Sequence, residues 1–225
     1  MTEKNTFYIL RSPDTDITNY VYGDPVWESE FKYAKWTKKT TTKKINCKLH
    51  PGHKRSGGRT GKLSIEVQSD KIGDFIWTWH SECLVTEKVL ALLKRNEITG
   101  YSVVPASIEY VQNGQTAPPE VWELVVSGKA GEAHPDSGIN KIYHCPECNL
   151  VVYSSFRNGI IVDEKKWDRS DFSTVEGYPK YILITERVKK IIIKNKLTNC
   201  QILKSADLDW GPVVRPEDVY GKNKK

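Results

Sequence analysis

The sequence predicts an α+β fold built from two degenerate repeats, each a knuckle or β-hairpin followed by strand, helix and strand, packed into one compact unit. Three observations carry that expectation: an internal match at a spacing near 98 residues, apolar periodicity that switches between helical and strand-like within each copy, and cysteine–histidine motifs at corresponding points of both copies.

The match runs without a gap from Leu84 to Gly100 against Leu183 to Asn199, with Thr86 opposite Thr185 at an offset of 99. Leu84, Thr86, Glu87, Val89, Asn96 and Thr99 recur as Leu183, Thr185, Glu186, Val188, Asn195 and Thr198. It continues into Val103-Val104 against Ile202-Leu203, and upstream Asp74-Phe75 pairs with Asp171-Phe172 at an offset of 97.

Each copy has a physical reading. The threonine is placed to cap a helix through its hydroxyl, and the following glutamate suits the positive end of the helix dipole. Val89, Leu92 and Leu93 form an i, i+3, i+4 stripe, as do Val188, Ile191 and Ile192. Gly100 and Asn199 fall where a chain leaving a helix needs a left-handed residue. A strand precedes each helix (Asp74–Trp79; Tyr181–Ile184) and another follows (Tyr101–Val104; Cys200–Leu203). Lys62–Val67, Ala106–Val111 and Val121–Val126 read as further strands, and Asn113-Gly114 as a turn. Domain organisation follows: a first half over 1–128 with an N-terminal extension over 1–45, a linker over 129–138, and a second half over 139–225. The stretch Asp209–Lys225, with Gly211, Pro212 and Pro216, reads as irregular.

With 38% hydrophobic and 28% charged residues in 225, the chain is long and apolar enough to bury a real core. No run approaches the ~18 apolar residues of a membrane span. Phe7–Leu10 is too short, and too soon followed by Arg11 and Asp14, for a secretory signal, so a cytoplasmic protein is expected. Net charge is +6, with lysines concentrated between Lys38 and Lys62, around Lys189–Lys196 and in the tail Lys222–Lys225. A solvated lysine-rich surface accounts for these; nucleic-acid binding through Lys38–Lys62 is the alternative.

Five cysteines, Cys47, Cys83, Cys145, Cys148 and Cys200, are an odd number with one tight pair, which argues for metal or redox chemistry over a disulfide framework. Cys145-Pro146-Glu147-Cys148 precedes the strand-like Val151-Val152-Tyr153 and reads as a zinc knuckle, since two intervening residues let both sulfurs point into one tetrahedral site. Shifted back by 98, the same frame lands on Cys47-Lys48-Leu49-His50-Pro51-Gly52-His53. Cys47 aligns with Cys145 and His50 with Cys148, and His53 is a second candidate donor. The expectation is one structural zinc held by Cys47, Cys145, Cys148 and a histidine. Alignment favours His50, while the Pro51-Gly52 turn would let His53 swing in.

Thiols without metal and a redox CxxC are the competing readings; the second expects a helix after Cys148. His80-Ser81-Glu82 with Cys145-x-x-Cys148 superficially matches a zinc deaminase pattern, but residue 144 is histidine rather than proline and no helix-forming sequence follows Cys148. Cys83 and Cys200 read as buried small hydrophobes, and Trp77, Trp79, Trp122 and Trp167 as core aromatics. Glu164, Asp168 and Asp171 around Trp167 read as a solvated turn.

The order of these features (first knuckle, Asp-Phe strand, Thr-Glu helix, Cys-Pro-x-Cys, Trp167–Phe172, Ile184–Val188, Leu197–Asn199) resembles the bacterial double-CxxCG motif family, over roughly Cys47 to Leu208. The sequence departs from that pattern at His50, and at Asn149, where the family has glycine. The resemblance implies a bacterial cytoplasmic protein without enzymatic activity. It further implies an immunity protein whose protein partner is a toxin.

Overall fold

The computed structural model describes residues 5–13, 34–67, 72–78, 80–110, 117–209 and 215–220. Trp79, the Asn113-Gly114 turn and the tail 222–225 lie outside the described residues. In chain order the elements are β1 (Phe7–Arg11), β2 (Lys35–Trp36), β3 (Thr41–Ile45), β4 (Arg55–Thr60), β5 (Ser64–Val67), β6 (Phe75–Trp77), β7 (Cys83–Thr86), α1 (Glu87–Arg95), β8 (Tyr101–Tyr110), β9 (Val121–Val126), β10 (Lys141–His144), β11 (Val151–Tyr153), β12 (Phe172–Val175), β13 (Tyr178–Thr185), α2 (Glu186–Lys194), β14 (Gln201–Lys204) and α3 (Pro216–Tyr220). The fold is α+β. A six-stranded sheet has the order β2-β5-β8-β9-β7-β6 and a four-stranded sheet the order β12-β13-β1-β14; β3-β4 and β10-β11 are separate two-stranded ribbons.

Two expected strands, Tyr101–Val104 and Ala106–Val111, are one long strand, β8. Pro105 lies inside it, opposite Trp122 of β9. Pairing with β5 begins only at Ser107, so at Pro105 one side of β8 is open, where a residue without an N–H is tolerated. β1, which falls in the N-terminal extension of the sequence-based division, lies in the middle of the second sheet, between β13 and β14. Residues 129–138, expected as a linker, pack against the chain that follows: Ala130 and Ser137 are fully buried, and bridges join Lys129 to Thr174 and Ala133 to Val162.

The strands around the two helices share one arrangement. In the first region the order is β6-β7-β9-β8, in the second β12-β13-β1-β14. Phe75 faces Val85 as Phe172 faces Ile184. Thr86 faces Val121 as Thr185 faces Phe7, and Val104 faces Glu123 as Leu203 faces Ile9. Equivalent positions therefore share register, although the third strand follows β8 in one region and begins the chain in the other.

The two helices end alike. Glu97 and Lys196 take positive φ; Glu97 N–H bonds Lys94 C=O and Ile98 N–H bonds Leu93 C=O, and Lys196 N–H bonds Ile193 C=O and Leu197 N–H bonds Ile192 C=O, the double closure of a Schellman motif in each helix. The left-handed residue that ends each helix is therefore Glu97 or Lys196. Gly100 and Asn199, also at positive φ, lie just before the next strand instead.

The threonines Thr86 and Thr185 occupy the N-cap positions, but their hydroxyls make no capping bond. Thr185 Oγ1 donates instead to Asp171 Oδ1 at 2.9 Å, and Thr86 Oγ1 reaches Asp74 C=O at 3.5 Å.

These aspartates bind the two regions to each other. Asp74 Oδ2 accepts from Thr198 N–H (2.8 Å) and Thr198 Oγ1 (3.0 Å), while Asp171 Oδ2 accepts from Thr99 N–H (3.1 Å) and Thr99 Oγ1 (3.3 Å). Each region's aspartate thus satisfies the turn after the other region's helix. Beside these turns, backbone crosses backbone closely. A Cβ on Gly100 would lie 2.0 Å from Phe172 O and 2.5 Å from Ser170 Cβ. At the equivalent crossing the bulk is exchanged, with Asn199 against Gly73.

The main core lies between the two regions. It unites Val89, Leu92 and Leu93 of α1 with Val188, Ile191 and Ile192 of α2, around Phe75, Trp77, Cys83 and Phe172. Both sequence-read helical stripes face it, each fully buried aliphatic side chain contributing about 1.5–3 kcal/mol. Among the described residues, no helix is long and apolar enough to cross a membrane.

Candidate metal centre

The second motif sits at the end of a hairpin. β10 and β11 pair His144 with Val151, and Cys145 N–H bonds Leu150 C=O at 2.8 Å, closing a tight turn over Cys145–Leu150. Asn149 takes φ 52°, a left-handed conformation that asparagine adopts more readily than most residues and glycine more readily still. Strand β11 follows Cys148 where a thioredoxin-type or deaminase motif needs a helix.

The first motif is the loop between β3 and β4. His50 N–H donates to Cys47 Sγ at 3.3 Å. Pro51 then starts a single 3-10 turn, Pro51–His53, with His53 N–H bonded to His50 C=O at 2.9 Å. Proline suits the first turn position, where its missing N–H is not needed. That turn brings a His53 ring nitrogen within 4.8 Å of the three cysteine sulfurs, which the Cys47–His50 spacing does not do for His50.

The four side chains Cys47, His53, Cys145 and Cys148 offer donor atoms all within 4.8 Å of one another. Cys47 Sγ and Cys145 Sγ are 3.7 Å apart, and Cys148 Sγ and His53 Nδ1 are 3.7 Å apart. Donors around a tetrahedral ion with thiolate bonds of about 2.3 Å stand about 3.8 Å apart. The group is therefore compatible with a single metal site. Cys145 is fully buried and Cys47 nearly so, while Cys148 and His53 are half-buried. Sequence alignment favours His50, but it is exposed and outside this group, its ring 4.7 Å from that of His53. Its backbone N–H serves Cys47 while its side chain faces solvent.

Supporting groups complete the site. Tyr143 Oη lies 3.4 Å from His53 Nε2, the ring nitrogen facing away from the sulfurs, where a partner fixes which nitrogen is the donor. Arg55 Nη1 donates to Cys148 Sγ at 3.2 Å and to His53 C=O at 3.2 Å, and Nη2 donates to Cys148 C=O at 2.9 Å. The guanidinium therefore clips the first motif to the second. It also holds the Cys148 thiol down, to about 6, while burial pushes the Cys47 thiol up. Arg55 carries no sequence signal beyond the charge it supplies; three thiolates and a neutral imidazole around a divalent ion would leave one net negative charge beside it.

The other candidates lie elsewhere. Cys83 is in the core and Cys200 packs at its edge, with burial pushing the first thiol well up and the second to about 12. His80 stacks on Trp36 at 3.9 Å and is not among the four donors. Trp77 is buried, its indole N–H on Asn199 C=O at 2.8 Å, and Trp167 packs edge-on against Phe7. Asp168 accepts from Lys129 and Ser170 N–H groups. No protein-family model matches the chain, and no characterised protein matches it in sequence.

Proposed function

We propose that the chain is a non-enzymatic interaction protein whose two degenerate copies are held together by one structural zinc ion, bound by Cys47, His53, Cys145 and Cys148. The observation that carries this reading is the four-donor group itself, drawn from two motifs 98 residues apart with donor spacings near a tetrahedral edge. Three thiolates and an imidazole suit zinc, and four protein donors fill its tetrahedral shell, leaving no position for a substrate or an activated water. Zinc's role is then cohesive, and binding free energy becomes folding free energy. The matched strand registers and the reciprocal aspartate–threonine bonds support duplication as the origin of the arrangement.

The motif order of the double-CxxCG family further supports a bacterial cytoplasmic immunity protein, with a toxin as partner. Co-expression with the products of genes adjacent to its own tests this. Growth restored by this chain in the presence of one toxic neighbour is the expected result. Absence of any neighbouring toxin, with no protein partner recovered from the native host, overturns it.

A further inference from the structure

Charge is segregated in this molecule. Residues 38–62 hold nine lysines and arginines and no acidic residue, so the remaining 200 residues, with 25 cations against 28 acids, are net negative. This segment is the β3–β4 ribbon with its metal-binding loop. Its two arginines are turned to internal work, Arg55 on Cys148 and Arg59 on the buried Glu123 of β9, while Lys39 pairs with Glu109. Six lysines are left: Lys38, Lys43, Lys44, Lys48, Lys54 and Lys62. All are exposed, and among the described residues none forms an ion pair. They are spread from the base of the ribbon to its tip. The strands alone run about 17 Å, roughly five axial phosphate spacings of one nucleic-acid strand.

We propose that this ribbon binds the phosphate backbone of duplex nucleic acid. Three further features favour that partner. The exposed Ser56 and the exposed pair Thr41 and Thr60, whose hydroxyls bond each other at 2.6 Å, lie between the lysines, and hydroxyls are common phosphate donors. Gly58, on the same ribbon, has nothing within 4 Å of where a side chain would begin, leaving backbone open to close approach. Residues 38–62 contain no Phe, Tyr or Trp. Without aromatic platforms the ribbon lacks the stacking that single strands require. The same composition, rich in Lys, Thr, Ser and Gly, is opposite to that of a protein–protein interface core, which favours aromatics and arginine. Arginine is the residue of choice for nucleic-acid recognition, and its scarcity on the open face has a structural reason: both arginines are used to fix the ribbon. One end is tied to Cys148 and the other to Glu123, so the lysines ride on a scaffold held at both ends. The surface does not depend on the partner proposed above.

Fluorescence anisotropy with short DNA and RNA duplexes of arbitrary sequence tests it on the full-length protein. With six phosphate contacts, log affinity falls with log salt at a slope of about −5, or about a thousandfold between roughly 50 and 200 mM. Lys43→Ala with Lys44→Ala is expected to reduce the slope by about 2, with zinc content and circular dichroism unchanged. Lys190→Ala with Lys194→Ala, in the basic segment of α2, is expected to leave it unchanged. No binding to either duplex at low salt overturns the proposal. So does a slope that responds to the α2 pair and not to the ribbon pair. Displacement of the duplex by poly-glutamate at equal charge concentration also overturns it, and would instead identify a surface for acidic proteins.

Discussion

The two loops that carry the four-donor group differ more than the two helical regions around them. The helices share their N-cap geometry, their Schellman closures and the register of the strands beside them. The loops share only the first donor. In the second, Cys145 and Cys148 sit in one tight hairpin turn, three positions apart. In the first, the position three beyond Cys47 is His50, which contributes a backbone N–H, and the side-chain donor comes three residues later from a 3-10 turn. A frame held by backbone hydrogen bonds constrains every residue in it. A metal ion constrains only the donor atoms, so different loops can deliver them.

Breaking the metal side of this comparison is expected to have the largest effect. Cys145→Ser, at the fully buried donor, and His53→Ala should both lose the ion. At free zinc a thousandfold above its Kd, that removes about 4 kcal/mol of stability, read as a lowered urea midpoint that added zinc no longer raises.

Next come the aspartates that join the regions. Asp171→Ala should cost about 3 kcal/mol and Asp74→Ala about 2 kcal/mol. Each leaves a threonine N–H without its acceptor and a cation without its partner, Arg187 for Asp171 and Lys88 for Asp74, and Asp171 additionally accepts from Thr185 Oγ1. Equal losses would mean that the Thr185 bond adds nothing. The threonines sharpen the same contrast on a smaller scale. Thr185→Ala should cost about 1 kcal/mol, and Thr86→Ala less, because its hydroxyl contact is long.

Arg55→Ala separates electrostatics from ligation. In metal-free protein the Cys148 thiol ionises near pH 6 because of Arg55, below its unfolded value of about 8.5. A depressed thiol pKa stabilises the fold above the unfolded value, and that contribution disappears as pH falls through about 6. The alkylation rate of Cys148 should follow the same midpoint and shift toward higher pH in Arg55→Ala. An unmoved midpoint contradicts the assigned cause. The smallest effect is reserved for His50→Ala, an exposed change expected to stay within about 0.5 kcal/mol and to keep the ion.

Local chemistry made much of this legible in advance. The helical stripes of α1 and α2, strand β9 and the Cys145–Cys148 knuckle are all encoded within a few residues of sequence. What was not legible depends on distance or on choice among equals. The apolar run Phe7–Leu10 is too short for a secretory signal, but nothing local says that it pairs as a strand with residues more than 170 positions away. Alignment points to His50 because it tracks position in the repeat, whereas a 3-10 turn that alignment does not register brings His53 to the cysteines instead. Thr86 and Thr185 stand at the helix starts, as their sequence context indicates. Their hydroxyls turned to other acceptors because Asp74 and Asp171 stood nearby, and tertiary acceptors compete with local ones. Arg55 was one cation among nine until its neighbours were known.

Elemental analysis of the purified protein, with thermal melting in the presence and absence of a chelator, reads the proposed ion itself. About one zinc per chain is expected in the native protein, none in Cys145→Ser, and a melting point lowered by chelator in the native protein alone. Native protein that carries no zinc, cannot be loaded with it, and melts identically with and without chelator would contradict the proposal.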